Sequence, residues 1–127
     1  MGRPYQLSGI VVTGDRRGRT IGFPTANMQP GEGYVTPANG VYAVRAAVDG
    51  ARYNAVMNIG FKPTFGGGLH RTYEVHLFDF EGDMYGKMLT VELVSHLRKE
   101  QKFHSVDELV AQIRRDAEQA RQILAGN

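Results

Sequence analysis

The stretch GVYAVRAAVDGARYNAVMNI, residues 40–59, contains two segments rich in β-forming and small apolar side chains, one on each side of Asp49-Gly50. Asp-Gly between such segments is the strongest short-range signal for a β-hairpin, because both turn residues must tolerate positive φ. The sequence therefore predicts a hairpin of two strands, 40–48 and 51–59.

Three further segments have the composition of strands. Residues 5–12 alternate weakly, and residues 71–80 and 87–97 are expected to pair with each other across the turn-rich 81–83. With a short strand near 25–28, the set comprises five or six antiparallel strands. A sheet of this size usually closes or folds over to remove its open edges, so the pattern predicts a small barrel.

The last part of the chain changes to a helical period. The sequence Ser105-Val106-Asp107-Glu108 fits a capping box, in which a hydroxyl and a carboxylate satisfy free N–H groups at the start of a helix. Apolar residues then recur at helical spacing until a stop near Gly126. We expect a helix over about 105–124, long enough to lie across one side of the barrel.

Composition limits the classes of protein to consider. The chain has 127 residues, 42% of them hydrophobic, which suffices for one core and predicts a single domain over 1–127. It has no cysteine for disulfide or thiol chemistry, and no apolar run approaches the roughly 18 residues needed to cross a membrane. The net charge of +2 lies largely in a few arginines, which favours a small anionic ligand over nucleic acid. Because no signal segment follows Met1, a cytoplasmic location is expected.

The segment GDRRGRTIGFPTAN, residues 14–27, has the composition of an anion-binding loop. Its glycines let backbone N–H groups approach a ligand closely, and its arginines surround that ligand with positive charge. Phe23-Pro24 then fixes the chain direction, so that the Thr25 hydroxyl and the Asn27 amide share one face of an extended segment. Two neutral oxygens beside a phosphate suit magnesium. From these residues alone, a solvated surface connection is equally compatible with the loop.

This loop and four later segments resemble the signature of the riboflavin kinases. The later segments, in the family's order, are NIGFKPTF (58–65), YEVHL (73–77), YG (85–86) and LRKEQKF (97–103). The resemblance covers nearly the whole chain and implies transfer of the ATP γ-phosphate to the 5′-hydroxyl of riboflavin, giving FMN and ADP. For the fold it implies an all-β domain with a C-terminal helix, in which a small closed antiparallel barrel of six strands, Greek-key-like in order, occupies about 5–97.

The resemblance also implies roles for particular residues. Glu74, which alternation places on the opposite strand face from Val75, matches the family's general base for the hydroxyl proton. Thr25 and Asn27 are expected to bind magnesium beside the ATP phosphates. The other residues expected on the nucleotide side are Gly14, Arg19, Gly22 and Tyr85. His76 has two possible roles, orienting the base or making a structural hydrogen bond.

The flavin side is expected to be a loop over 97–104, where Arg98 and Phe103 close over the isoalloxazine ring. This loop and residues 29–39 are both expected to move and shield the transferring phosphoryl group from water. The Asn58 segment resembles the bacterial form, in which the kinase is the C-terminal half of an enzyme that also adenylylates FMN. That FMN adenylyltransferase domain is the expected partner and is not visible in this sequence, so the chain is either an excised domain or a monofunctional kinase.

Two other functions are compatible with a small barrel of this kind. An oligonucleotide-binding barrel is suggested by the arginines and by aromatic residues such as Phe23 and Tyr34, although the arginines lie in one loop rather than along a strand face. A non-catalytic flavin-binding barrel would bind FMN and would need neither Thr25, Asn27 nor ATP. Magnesium dependence distinguishes a kinase from this last alternative.

Overall fold

Six strands form a closed antiparallel barrel with one helix against its outer wall, in a computed structural model that describes residues 5–14, 25–30, 38–63, 66–80 and 85–126. The strands are β1 (Tyr5–Gly14), β2 (Thr25–Pro30), β3 (Gly40–Val48), β4 (Ala51–Pro63), β5 (Leu69–Leu77) and β6 (Met88–Arg98), and the helix is α1 (Val106–Ala125). Their order around the barrel is β1-β2-β5-β4-β3-β6. The predicted closed six-stranded barrel with a C-terminal helix is therefore confirmed.

The hairpin of β3 and β4 forms as the sequence predicts. Asp49 and Gly50 have φ angles of 53° and 79°, and antiparallel pairing runs without a bulge from Val48 opposite Ala51 to the start of β3. β4 continues to Pro63, beyond the predicted end of the strand. Residues 29–39 were predicted to form a mobile loop, and this prediction is wrong for residues 29 and 30, which belong to β2.

The predicted pairing of 71–80 with 87–97 is wrong. β5 pairs with β2 and β4, whereas β6 pairs with β1 and β3. β5 also ends at Leu77, and Asp79, with φ of 60°, lies in the turn that follows. A local hairpin would leave the edges of β1 and β3 unpaired, so β6 instead fills the gap between them and closes the barrel.

The barrel interior is lined by alternate residues of the six strands. Small side chains such as Ala26 and Ala46 pack there beside larger ones, and all are almost fully buried. The largest fully buried side chains of this cluster are Leu7, Val11, Val44, Met57, Ile59, Val75, Leu77, Leu89 and Val91. At one end Tyr42 donates a 2.6 Å hydrogen bond to the Ala38 carbonyl. Burial raises the pKa of the Tyr42 phenol, and the positive charge of Arg71 opposes that rise.

Helix α1 lies on the outer wall and has its own apolar contact with the barrel. The buried residues of this contact are Val41, Ala43, Val56, Phe78, Ala117, Ala120 and Leu124. Ser105 caps the helix by accepting a 3.2 Å hydrogen bond from the Glu108 N–H, and the Glu108 carboxylate accepts from the N–H of His104. At the other end Arg45 donates to the Leu124 carbonyl at 3.1 Å. In the described part of the chain, no helix is both long and apolar enough to cross a membrane.

Candidate functional site

Three polar residues face each other across the outer wall of β2, β5 and β4. Asn27 is the Cα partner of Glu74, and Glu74 is in turn the partner of Asn58. Directly opposed residues in antiparallel strands share a face, with Cβ atoms about 4.5–5.5 Å apart. The strand neighbours Val75 and Met57 are fully buried in the barrel, so this amide–carboxylate row (Asn27, Glu74 and Asn58) faces outward.

The row lies in a partly buried surface rather than in open solvent. All three of its side chains have intermediate exposure. Within the described residues, the Asn58 Oδ1 atom is buried and has no hydrogen-bond partner. Glu74 therefore lies between two amide-bearing residues on paired strands, and the Asn58 oxygen has no donor among the described protein atoms.

The nucleotide-side loop begins and ends beside this row. Gly14, the last residue of β1, pairs with Ala26 of β2, and a register shift lies between Val11 and Thr13 just before it. The backbone of Thr25 pairs with His76, which is next to Glu74 on the same outer face. The structure thus brings Gly14, Thr25 and Asn27 together with Glu74. Arg19, Gly22 and the side chain of Thr25 lie outside the described residues.

Tyr85 lies at the same end of the barrel as Gly14. The N–H of Gly86 donates to the Val11 carbonyl at 2.8 Å, which fixes this segment against β1. The Tyr85 side chain is 67% exposed, and Ile10 and Met88, which oppose each other on β1 and β6, are also exposed. This arrangement provides an apolar surface beside the start of the loop.

Arg98 and Phe103 lie on the other side of the row. Val41 pairs with Asn58 on one side and with Arg98 on the other, so Arg98 continues the row around the wall. Its guanidinium carbon is 5.8 Å from the Phe103 ring centroid. Following this row, β5, β4 and β3 lie between Asn27 and Arg98, so the two predicted ligand sides occupy different parts of the barrel wall.

Arg98 is also bound to the helix. Its Nε donates to Asp116 Oδ1 at 3.0 Å and its Nη2 to Oδ2 at 2.8 Å, while Nη1 donates to the Lys99 carbonyl. Asp116 is only 3% exposed and also accepts from Gln112 at 2.9 Å. Sequence analysis missed this pair. The available signal was a carboxylate next to Ala117 within the apolar stripe of the helix.

Glu100 places a second carboxylate against β4, beside Gly60. Gly60 follows Asn58 by two residues on the same face of β4, and a Cβ at position 60 would collide with the Glu100 carboxylate. Asn39 Nδ2 donates to Glu100 Oε1 at 3.1 Å. Glu100 therefore connects the start of the 97–104 loop to the barrel, a contact that the sequence did not reveal although Gly60 belongs to the quoted NIG segment.

His76 lies on the outer face, as alternation predicts, but it is only 8% exposed. Its Cα partners are Thr25 and Val56, so it sits between the row and the surface covered by α1. Among the described residues, no group of three or more histidine, aspartate or glutamate side chains is arranged to hold a metal ion.

Comparison with known proteins agrees with this arrangement. The model of the flavokinase family, described as riboflavin kinase, matches residues 1–124. The match extends over all six strands and nearly the whole helix. The chain belongs to the riboflavin kinase family.

Individual relatives show how much of a longer protein is matched. A bifunctional riboflavin kinase/FMN adenylyltransferase of Bacillus subtilis is 48% identical over 122 residues, which are 94% of this chain and 39% of that protein. The chain therefore spans about two fifths of the length of this curated relative.

Two solved structures support the fold. The crystal structure of riboflavin kinase from Trypanosoma brucei has a TM-score of 0.68 at 25% identity, covering 98% of this chain and 81% of that one. A crystal structure described as a macrolide-efflux protein from Streptococcus pneumoniae has a TM-score of 0.85 at 41% identity, covering 94% of this chain and 39% of that one. That description applies to the Streptococcus pneumoniae protein.

Proposed function

We propose that this chain transfers the γ-phosphate of ATP to the 5′-hydroxyl of riboflavin, giving FMN and ADP. Family membership supports the substrates. The observation that carries the proposal is the position of Glu74 on β5. It lies opposite Asn27, and Asn27 belongs to β2, the strand that follows the glycine- and arginine-rich loop. A carboxylate beside an anion-binding loop provides the proton acceptor that phosphoryl transfer to a hydroxyl requires.

In this reaction Glu74 acts as general base. The riboflavin 5′-oxygen forms a bond to the γ-phosphorus, and the bond from that phosphorus to the β,γ-bridging oxygen breaks, so the electron pair leaves with ADP. The hydroxyl proton passes to the Glu74 carboxylate. Because Glu74 lies within a strand that is paired on both sides, its backbone is positioned before the substrates bind, which favours a reaction that depends on positioning.

Magnesium is proposed to bind between Thr25, Asn27 and the ATP phosphates. The described residues provide neutral oxygen and a nearby carboxylate rather than a cage of acidic side chains, which suits a metal that draws most ligands from phosphates and water. Bound there, magnesium would neutralise charge on the phosphates. Asn27 would contribute its side-chain oxygen and would keep the nucleotide next to Glu74.

The nucleotide is proposed to lie along the loop that starts at Gly14. Backbone N–H groups around Gly14 and Gly22 and the Arg19 side chain would bind the phosphates. Tyr85 would offer its ring to the adenine, since an exposed aromatic face next to apolar neighbours is suited to stacking.

The flavin ring is proposed to bind at the 97–104 loop. Phe103 would contact the ring, and Arg98 would hold the loop through Asp116 and Lys99. In a longer protein, this domain would act beside an FMN adenylyltransferase domain, as the name of the Bacillus subtilis relative suggests for that protein. The proposed location is the cytoplasm.

Glu74→Gln tests the assignment of the base. The variant keeps the size and polarity of the side chain but cannot accept the proton, so we expect kcat to fall about 10²- to 10⁴-fold while ATP binding and the melting temperature are unchanged. The matched control is Glu92→Gln, because Glu92 is also a strand glutamate and its ion pair with Arg45 at 3.6 Å lies on β6 and β3. Full activity of Glu74→Gln would remove the base assignment.

A further inference from the structure

Asn58 has a buried oxygen that the described protein leaves without a donor. The side chain as a whole is partly exposed, yet its Oδ1 is buried and accepts no hydrogen bond from the described residues. Burying an acceptor in this way opposes folding, since the oxygen loses its hydrogen bonds to water. A buried acceptor of this kind requires an explanation, and a donor group of a bound ligand is one that fits its place beside Glu74.

The neighbour of Asn58 across the ladder is Glu74. An ionised carboxylate can only accept hydrogen bonds, so it cannot satisfy the amide oxygen. Two acceptors thus stand side by side on one face, with their Cβ atoms about 4.5–5.5 Å apart. A ligand with two neighbouring hydroxyl groups could donate to both at once.

We propose that Asn58 is a substrate-binding residue that accepts a hydrogen bond from the 4′-hydroxyl of riboflavin while Glu74 binds the adjacent 5′-hydroxyl. This inference rests on the proposed function and adds a determinant of specificity to it. The amide holds the end of the polyhydroxylated chain so that the 5′-oxygen faces the γ-phosphate. A primary alcohol without a neighbouring hydroxyl leaves the Asn58 oxygen unpaired and is disfavoured.

The first test changes the ligand and leaves the protein intact. Riboflavin and 4′-deoxyriboflavin are titrated into the wild-type chain, and flavin fluorescence gives each Kd without turnover. We expect 4′-deoxyriboflavin to bind about tenfold more weakly, the size expected for one lost hydrogen bond to a buried group. Equal affinities would overturn the proposal.

The second test changes the protein. Asn58→Leu keeps a similar volume and removes the acceptor, so we expect riboflavin to bind about tenfold more weakly and 4′-deoxyriboflavin and lumiflavin, which lacks the hydroxylated chain, to bind within twofold of wild type. The melting temperature should stay the same or rise, because an unpaired buried oxygen is lost. The control is Asn54→Leu, an exposed asparagine on the same face of β4, which should leave every Kd unchanged.

The outcomes separate this inference from the proposed function. Weaker binding of lumiflavin to Asn58→Leu would show a general distortion of the flavin site and would overturn the hydroxyl assignment. The proposed function fails on a different result, namely no FMN from wild-type protein supplied with riboflavin, ATP and magnesium. Binding by fluorescence does not depend on that reaction.

Discussion

The outer wall of the barrel has two halves, one covered by helix α1 and one not, and β4 contributes residues to both. Val56 is 4% exposed and packs under α1, whereas Asn58, two residues later on the same face, belongs to the polar row with Glu74. The helix covers residues of β3 and the neighbouring part of β4, whereas the amide–carboxylate row lies on β2, β5 and the later part of β4. The amide–carboxylate row therefore lies where the helix does not cover the wall, whereas Arg98 on the predicted flavin side contacts the helix through Asp116.

The largest effect is expected from placing a charge under the helix. Val56→Asp would bury a carboxylate within the apolar contact under α1, so we expect a loss of about 4 kcal/mol or more in the free energy of unfolding, measured by urea denaturation. An Asp at the exposed position 54, two residues away on the same face, serves as the control and should cost less than about 0.5 kcal/mol. Similar losses at both positions would contradict the division of the wall into covered and open halves.

A smaller loss is expected when the helix is separated from the flavin-side loop. Asp116→Ala removes the buried partner of Arg98, whose own side chain is 20% exposed, so we expect about 3 kcal/mol of destabilisation. Because Arg98 is the last residue of β6 and leads into the proposed flavin-side segment, KM for riboflavin should also rise while KM for ATP stays within twofold. Asp107→Ala, at an exposed position in the first helical turn, is the control. A parallel rise in both KM values would mean that Asp116 supports the whole domain rather than the flavin side.

Removing the helix cap should have a modest effect confined to stability. Ser105→Ala deletes the acceptor for the Glu108 N–H, which is expected to cost about 1 kcal/mol. Since this contact lies away from the row, kcat and both KM values should be unchanged at a temperature where the variant is folded. A large fall in kcat would show that the open half of the wall depends on the helix start.

The smallest effect concerns the barrel interior and appears only at high pH. Burial raises the pKa of Tyr42 above 10.0, so the unfolded chain loses the phenolic proton first as pH rises. The protonated Tyr42 thus stabilises the fold fully below pH 10, and this contribution is lost as pH rises through the higher folded pKa. We expect the difference in unfolding free energy between wild type and Tyr42→Phe to be constant below pH 9 and to shrink above pH 10. A difference that stays constant to pH 11 would contradict burial as the cause.

The parts of the fold predicted from sequence are those with local signals. Asp49-Gly50 defines its own turn, and Ser105 defines the start of its own helix, so both predictions are confirmed. The partner of β6 was predicted wrongly because pairing depends on closure of the whole barrel, which no local pattern reports. Alternation placed Glu74 on the correct face, but only the strand order reveals that it lies between Asn27 and Asn58.

The contacts around the flavin-side loop were also beyond sequence reasoning. Arg98 looked like a ligand contact, and the structure adds an ion pair with Asp116, eighteen positions further along the chain. The orphan oxygen of Asn58 depends on which atoms surround it, and that is set by packing between strands. Such features require three-dimensional neighbours that the residue pattern does not specify.

The central claim is that the protein phosphorylates riboflavin with Glu74 of the amide–carboxylate row as the base. One assay tests this claim most directly. The purified chain is incubated with riboflavin, ATP and magnesium, and the flavins are separated by chromatography. Our account predicts FMN that appears with wild type, is lost when magnesium is chelated and is nearly absent with Glu74→Gln. A folded wild-type protein that binds riboflavin or an oligonucleotide but forms no FMN would contradict it.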